Sequence, residues 1–444
     1  MNKLSKRLPL LFLVARLVLF LSLPLEGIRG YGDYWNFYHL AELGWPFLDF
    51  WVEFPPLFPF LSSLLFQLVG GRQHAYEYTL ALTLSLFQAG NIYLFMRLAE
   101  HLYAREVARR RGWIYAALLV GLFYGWGYFD PIAVFATLLG LNLLLQEHDA
   151  LAGFTLAFGA LVKWFPILGL VVVWRQRPPK KAIQISALVV GLIVAVYGTL
   201  AFLSPEMTLA SLRSQVGRGS WETVWALLDR NIGTGNFGPA VDHLDAATAS
   251  LSTSNPPRIS PWLTLIPFAA LGAWLYLRAR LCGHRSEVAQ NQVHPCSNQS
   301  SEAYLSRSSR SPDRAWVTRS DNPKGMLRED RSQQHAISKL FFKQLHRSDM
   351  AFLGVGLSIF FLWSPGWSPQ WVLYLLPLML LVLPERESAL MALVWVLISL
   401  LEWPILLSRG YFSALWVLIP VRTLLLMLLA FEFWRVANRI STDS

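Results

Sequence analysis

The sequence predicts an all-α integral membrane protein, a polytopic transmembrane bundle of about ten to twelve helices. Of its 444 residues, 54% are hydrophobic and only 15% are charged, whereas charged residues make up about 25% of soluble domains. Apolar stretches of about twenty residues, the length that a helix needs to cross a bilayer, recur along the chain. Because lipid offers no hydrogen-bond partners, each crossing segment must satisfy its own backbone, and helices do so.

The formal net charge of +10 does not predict a nucleic-acid partner. The basic residues form short clusters beside hydrophobic segments, where they set the orientation of the helices and attract anionic lipid headgroups. The two cysteines, Cys282 and Cys296, fall in one polar segment. Their spacing suits neither a paired zinc site nor a disulfide scaffold.

The amino-terminal sequence has a basic start and an apolar run, as a signal peptide does, but it lacks a small-residue cleavage site. It therefore predicts a retained first helix over 8–26. Its basic residues place the amino terminus in the cytoplasm and the next segment, 27–75, outside. That external loop holds four carboxylates, many aromatic residues and the run FPPLFPF. Its prolines disfavour a straight crossing helix, so we expect short interfacial helices.

Basic clusters at 105–111 and 175–181 mark further cytoplasmic turns. The apolar run 151–174 has cytoplasmic flanks on both sides, which predicts a kinked re-entrant hairpin around Lys163 to Pro166. A second external loop is expected over 205–260. The remaining crossing helices are predicted at 76–98, 112–126, 130–146, 182–203, 261–281, 350–364, 369–384, 388–407 and 411–435.

The chain divides into an amino-terminal transmembrane module over 1–281 and a four-helix carboxyl-terminal module over 348–444. The segment between them, 282–347, has 11 Lys and Arg against 6 Asp and Glu and few apolar residues. This composition predicts a disordered cytoplasmic linker. No internal repeat relates the two modules, which weakly disfavours a transporter.

Asp33 is the first candidate for chemistry. It lies in GDYWNFYH, residues 32–39, just beyond the outer end of the first helix and among rings, Trp35 included, that exclude water and stack on sugars. A carboxylate there can accept the proton of an attacking hydroxyl, and apolar surroundings raise its basicity. The alternative is that Asp33 only caps an interfacial helix.

Five stretches of the sequence resemble the C-type (GT-C) glycosyltransferase superfamily, which includes membrane mannosyltransferases and dolichyl-phosphate glucosyltransferases. Gly32-Asp33-Tyr34 is similar to the family's essential external Asp, and Phe54-Pro55-Pro56 to its Tyr-Pro-Pro, with Phe in place of Tyr. GFTLAFGALVKWFPILGL resembles its Lys-then-Pro segment, and WSPGWSPQWVLYLLPL its late Ser-Pro-Gln pattern. GSWETVWALLDRN resembles an external loop of some bacterial members. Together these stretches span about 32–384 of the chain.

Lys163 and Gln370 are candidate substrate-binding residues. An ammonium inside an apolar run faces a cavity or a partner, so Lys163 binds a carrier phosphate or, equally, pairs with a carboxylate. Gln370 offers a donor and an acceptor to a sugar or phosphate, or fastens its own turn. Trp367 and Trp371 beside it are expected to anchor the protein at the membrane interface.

Glu53, Asp49 and His39 are second-rank candidates in the first loop, where one of them orients Asp33, donates to the leaving phosphate or holds a divalent ion. None of them forms a metal-specific spacing, so the sequence indicates no cofactor and leaves a divalent metal open. In the second external loop, Trp221 is a candidate for the acceptor side of the cavity, together with Glu222, Asp229, Arg230 and Asn231. The alternative is that these residues only hold an interfacial helix in place.

The resemblance implies a membrane hexosyltransferase that takes mannose or glucose from a polyprenyl-phosphate carrier. Transfer would be inverting, on the non-cytoplasmic face of a bacterial-type plasma membrane, with Asp33 as general base. The acceptor is a lipid, a glycan or a protein. The alternatives are a transporter or flippase of lipid-linked sugars, which would share the aromatic cavity and buried cations, and a scaffold without activity.

Overall fold

The structure is a computed structural model that describes residues 3–216, 220–230, 241–251 and 346–438, with a few positions between 266 and 274. The predicted helix over 261–281 therefore lies mostly outside the described residues. The predicted linker lies outside them up to residue 345, and so do both cysteines.

The described residues form α-helices with short 3₁₀ and π segments, two isolated β-bridges and no strand. The all-α prediction is confirmed. The helices are α1 (Lys3–Ser22), α2 (Leu25–Arg29), α3 (Tyr34–Glu42), α4 (Leu57–Leu68), α5 (Gln73–Leu102), α6 (Arg105–Val120), α7 (Tyr124–Gly127), α8 (Asp130–Leu145), α9 (Asp149–Val162), α10 (Leu170–Gln176), α11 (Pro179–Leu203), α12 (Pro205–Val216), α13 (Val224–Asp229), α14 (346–363), α15 (Val372–Val382), α16 (Glu385–Leu400) and α17 (Leu415–Asn438).

Four helical stretches of the described chain are long and apolar enough to cross a membrane: Gln73–Leu102, Pro179–Leu203, Glu385–Arg409 and Phe412–Asn438. Five shorter apolar stretches accompany them. The chain is thus a membrane protein, and the total of about ten to twelve crossings stays a prediction. In the first loop, α2, α3 and α4 have 5, 9 and 12 residues, which agrees with short helices rather than a crossing.

One end of the bundle collects the basic clusters, and we call it the arginine end. Arg110 Nε lies 2.5 Å from Glu385 Oε1, and Arg111 Nη2 donates to the carbonyl of Leu383 at 3.0 Å. Arg347 Nε donates to the carbonyl of Val382 at 2.7 Å. The turn between α15 and α16 therefore lies at the same end as the turn between α5 and α6, as their charge pattern predicts.

The run 151–174 is a hairpin, and the prediction of its shape is confirmed. Helix α9 ends at Val162, the backbone of Lys163 is extended, and a 3₁₀ turn over Phe165–Gly169 leads into α10. Arg177 Nε, just after α10, lies 2.8 Å from Oδ1 of Asp149 at the start of α9. Both ends of the hairpin are thus joined at the arginine end, and its tip lies at the opposite end.

The buried cation in α1 has a packing role. Arg16 is 1% exposed and donates to Gln88 Oε1 at 2.8 Å and to the carbonyl of Leu119 at 2.7 Å. Its guanidinium carbon lies 4.2 Å from the centroid of the Trp126 ring. The cation thus ties α1 to α5, α6 and α7, which satisfies the rule that intramembrane charges face partners.

We expect cysteine labelling to show the hairpin. In a background with Cys282→Ser and Cys296→Ser, His148→Cys and Lys180→Cys, both at exposed positions, should react with an impermeant thiol reagent from one side of the membrane. Asn36→Cys, at the other end of the bundle, should react only from the opposite side. Reaction of the first two positions from opposite sides would show that 151–174 crosses once.

Candidate functional site

Asp33 lies at the end of the bundle opposite the arginine end. It occupies the position before α3, and its backbone N–H donates to the carbonyl of Gly127 at 3.0 Å. Its side chain is half-buried and makes no capping hydrogen bond with α3. The capping interpretation of Asp33 is therefore wrong, because the carboxylate does not serve the helix that follows it.

Two glycines bring the segment of Asp33 against the chain between α6 and α8. A Cβ added at Gly32 would lie 2.5 Å from Gly127 Cα and 2.7 Å from its carbonyl oxygen. A Cβ at Gly127 would lie 2.9 Å from Gly32 Cα. Atoms this close overlap, so only glycine fits at either position, and this fixes the residue next to Asp33.

The backbone ahead of Asp33 is held by large aromatic side chains. Trp126 Nε1 donates to the carbonyl of Ile28 at 3.1 Å. The Tyr31 carbonyl accepts from the Tyr128 hydroxyl and from Trp403 Nε1, each at 2.9 Å. Asp33 thus sits on a segment fixed from two sides, by the α6–α8 connection and by the chain after α16.

The charge of Asp33 acts on the hydroxyl of Tyr128. Burial raises the pKa of Tyr128 well above its ordinary value, and the negative charge of Asp33 raises it further. The phenol therefore stays protonated and keeps donating to the carbonyl of Tyr31. A neutral phenol adds no charge of its own beside Asp33.

Four phenylalanines connect the first loop to α8. The Phe129 ring stacks on Phe58 with centroids 4.0 Å apart and meets Phe54 at 5.1 Å and Phe37 at 5.9 Å. Phe37 lies on α3, one helical turn after Asp33, and Phe54 opens the Phe-Pro-Pro motif. The cluster packs both motifs of the first loop against the start of α8, and its rings exclude water there.

Lys163 lies on the other side of this cluster. Its Nζ is 4.8 Å from the Phe129 ring centroid and 2.7 Å from Asp130 Oδ1. The Lys163 side chain is 15% exposed and that of Asp130 is fully buried. Of the two predicted roles of Lys163, the structure thus shows the pairing with a carboxylate. Asp130 Oδ2 makes no hydrogen bond within the described residues.

The tip of the hairpin also contacts the late Ser-Pro-Gln motif. The Phe165 ring lies 4.9 Å from that of Trp371 and 4.8 Å from that of Tyr374. Trp367 and Trp371 are 1% and 7% exposed, so the prediction that they anchor at the membrane interface is wrong. Gln370 between them is half-buried, and its proposed binding role stays a prediction.

Trp35 and His39 form an open surface beside Asp33. Trp35 is 55% exposed, and its ring meets the His39 imidazole edge-on with centroids 4.2 Å apart. His39 Nδ1 lies 2.7 Å from Glu42 Oε2. An exposed indole next to a carboxylate is a surface on which a sugar ring can stack.

The carboxylates of Asp49 and Glu53, also in the first loop, differ in their hydrogen bonds. Asp49 Oδ2 accepts the backbone N–H of Trp45 at 2.7 Å and so stabilises its own turn. Glu53 is 8% exposed, and its Oε2 makes no hydrogen bond within the part of the chain that is described. Among those residues no group of three or more His, Cys, Asp or Glu is placed to hold a metal ion.

Trp221 packs on the late motif rather than on the first loop. Its backbone N–H donates to the Pro365 carbonyl at 3.2 Å, and its carbonyl accepts from the Trp367 N–H at 3.1 Å. Its indole lies over Gly366, where a Cβ would overlap the ring. The second external loop is thereby joined to the turn before α15, and the alternative that Trp221 holds local structure describes these contacts.

Sequence reasoning missed three charged or polar residues of this end. Asp130 is not among the candidates from the sequence, although Asp followed by Pro is typical of a helix start. Glu402 lies inside an apolar run, a pattern that usually indicates a partner, and it pairs with Arg422. Tyr128 carried no sequence signal, because its hydrogen bond to Tyr31 depends on the fold alone.

No family model matches the chain, and no curated protein matches it in sequence. Among solved structures, the chain is similar to the oligosaccharyltransferase of Archaeoglobus fulgidus in its apo form, with 13% identity and a TM-score of 0.38. The match covers 98% of this chain and 56% of that protein, so the chain spans little more than half its length. A likeness this distant carries no conclusion about activity.

We expect Gly32→Ala to destabilise the protein. The added Cβ overlaps Gly127, and such overpacking costs about 1–3 kcal/mol, which should appear as a lower melting temperature in detergent. Gly198→Ala in α11 is the matched control, since a Cβ there meets nothing within 4 Å and alanine favours a helix. Equal melting temperatures for the two variants would contradict the close contact at Gly32.

Proposed function

We propose that the chain is a membrane glycosyltransferase that moves a hexose from a polyprenyl-phosphate carrier to an acceptor hydroxyl. One observation carries the proposal: the backbone of Asp33 is fixed by the Gly32–Gly127 contact and by the hydrogen bonds to the Tyr31 carbonyl, two residues before the exposed ring of Trp35. A carboxylate in that position can act as a general base. Mannose or glucose is favoured as the sugar through the motif resemblance, and the acceptor is a lipid, a glycan or a protein.

The packing of the motifs supports the proposal independently. The first-loop motifs meet α8 through Phe129, Lys163 lies against the same ring, and Phe165 contacts Trp371. Stretches separated by hundreds of residues therefore share one end of the bundle. Catalytic sites draw on distant parts of a chain in this way, whereas motifs kept only for helix packing need not meet.

The proposed reaction is a single inverting displacement. The acceptor oxygen attacks the anomeric carbon, the bond from that carbon to the carrier phosphate oxygen breaks, and polyprenyl phosphate leaves with the bonding electrons. Asp33 accepts the proton of the acceptor hydroxyl. No covalent bond between sugar and protein forms, so one carboxylate is sufficient for the chemistry.

Lys163 is the proposed partner of the carrier phosphate. Its ammonium has three N–H donors, and the contact with Asp130 Oδ1 occupies one of them. The others are free to donate to a phosphate oxygen without breaking the ion pair, which would stabilise the charge that develops on the leaving group. Asp130 would position the ammonium, and Gln370 and Glu53 would complete the polar lining.

The proposed sidedness follows from the charge distribution. The arginine end carries the basic clusters that stay in the cytoplasm in most membrane proteins, and Asp33 lies at the other end. The reaction would then take place on the non-cytoplasmic face of the membrane. Labelling of Asn36→Cys from the cytoplasmic side would exclude this arrangement.

We expect Asp33→Asn to fold and insert normally and to lower transfer by about 10²–10⁴-fold, the usual contribution of a general base. The assay is formation of a glycosylated product by purified protein in liposomes with labelled polyprenyl-phosphate hexose and a membrane-lipid extract as acceptor. Asp245→Asn, at an exposed position of the second loop, is the matched control and should keep full activity.

Retained transfer in Asp33→Asn would remove Asp33 from the catalytic role. Movement of unaltered carrier across the liposome membrane, without product, would instead support a flippase. If neither product nor movement is detected, the result would point to a scaffold without activity. The three outcomes differ in what happens to the labelled sugar, so one experiment separates them.

A double-mutant cycle separates the two roles of Lys163. Lys163→Met should destabilise the protein by about 3–5 kcal/mol, because it leaves Asp130 buried without a counter-ion. Adding Asp130→Asn should restore most of the melting temperature, since the buried charge is then gone. If Lys163 binds phosphate, the double variant is stable but transfers sugar more slowly than the parent protein, with a higher KM for the carrier. Recovery of activity together with stability would leave Lys163 a structural role only.

A further inference from the structure

Two carboxylates and one guanidinium are buried together where the second external loop meets the last two helices. Glu222 is 5% exposed, Glu402 is fully buried and Arg422 is 2% exposed. Arg422 forms an ion pair with the Glu402 side chain and donates to the backbone carbonyl of Glu222. The guanidinium therefore balances Glu402 and leaves the Glu222 carboxylate without a counter-ion in this cluster.

The Glu222 carboxyl is held in unfavourable surroundings for a charge. Its Oε2 is buried and makes no hydrogen bond within the described residues, and its φ is +53°, which few residues other than glycine adopt. Burial raises the pKa of Glu222 well above its ordinary value, the negative charge of Glu402 raises it further, and Arg422 lowers it. A proton on Glu222 removes the repulsion and the cost of a second buried anion.

The other titratable groups that face Glu222 are phenols. Tyr124 donates to the carbonyl of Ser399 at 2.7 Å, and Tyr128 to that of Tyr31. Burial raises the pKa of both hydroxyls well above 10, so they stay neutral over the range in which a carboxyl titrates. The two phenols therefore do not change the charge of this cluster while a carboxyl titrates.

Glu222 lies where the loop is fastened to the bundle. Thr223 Oγ1, the next residue, donates to the Pro365 carbonyl at 2.7 Å. On the other side, Trp403 follows Glu402 and donates to Tyr31, two residues before Asp33. A charge at Glu222 would act on both the loop and the segment that carries Asp33.

We propose that Glu222 is a neutral carboxylic acid and that its proton keeps the loop over 220–230 closed on the Asp33 end of the bundle. Loss of the proton places two carboxylates against one guanidinium, and the loop opens. The device is a pH-sensitive latch. It does not depend on the proposed glycosyl transfer, and its test measures the loop directly.

The direction of the pH dependence follows from the raised pKa. A carboxyl whose pKa is higher in the closed state than in the open state stabilises the closed state in full below its ordinary pKa of 4.5. That stabilisation is lost as the pH rises through the raised value. The loop should therefore open on alkalinisation and close on acidification.

The reporter is Ala226→Cys, at a fully buried position on α13, in the full-length protein with Cys282→Ser and Cys296→Ser. We expect its reaction with a thiol reagent to be slow at neutral pH and at least tenfold faster at alkaline pH. The rates are divided by those of the exposed Asn36→Cys measured in parallel, which removes the intrinsic pH dependence of a thiolate.

Two variants test whether loss of the Glu222 proton causes the loop to open. Glu222→Gln mimics the protonated acid and should keep the reporter slow at all these pH values. Glu402→Gln leaves Glu222 as the sole counter-ion of Arg422, so Glu222 ionises in the closed state and alkaline opening should also disappear. Alkaline opening that persists in Glu222→Gln, or a reporter that stays slow in the parent protein, would overturn the proposal.

Discussion

The requirement that every buried charge in an apolar bundle has a partner organises this protein. Arg16 donates to Gln88 and to a backbone carbonyl, Lys163 pairs with Asp130, and Arg422 pairs with Glu402. The Arg16 contacts join helices that are distant in the chain, and the other two contacts join neighbouring segments. Because an unpaired charge in lipid costs several kcal/mol, these few polar contacts specify which helices are neighbours, while the apolar surfaces alone would permit many arrangements.

The same requirement separates the two ends of the molecule. At the arginine end, guanidinium groups satisfy the last carbonyls of α15 and the carboxylate of Glu385. At the other end, fewer charges are distributed among many aromatic rings, and one acid, Glu222, lacks a counter-ion in its cluster. The first end is joined by these ion pairs and hydrogen bonds. The second end holds the Asp33 motif and the Phe129 cluster, and this is where we propose the chemistry.

The backbone around Asp33 is rigidly supported. The Gly32–Gly127 contact and the two hydrogen bonds to the Tyr31 carbonyl hold the backbone, yet the Asp33 side chain does not cap its helix. A proposed general base needs a fixed position, because proton transfer requires hydrogen-bond geometry to the attacking hydroxyl. The proposed latch at Glu222 acts on the same segment through Trp403, so protonation there would influence the base without touching substrate.

The sequence by itself determined the membrane class, the helical fold, the hairpin around Lys163 and the relative sidedness of the turns. These depend on hydrophobic length and on the positions of arginines, which are local properties. It also singled out Asp33 and Lys163. Only the tertiary structure decided that Lys163 pairs with Asp130, that Trp367 and Trp371 are buried, and that Glu222 meets Glu402 and Arg422. Those facts depend on contacts between residues far apart in the chain, and neither spacing nor composition encodes them.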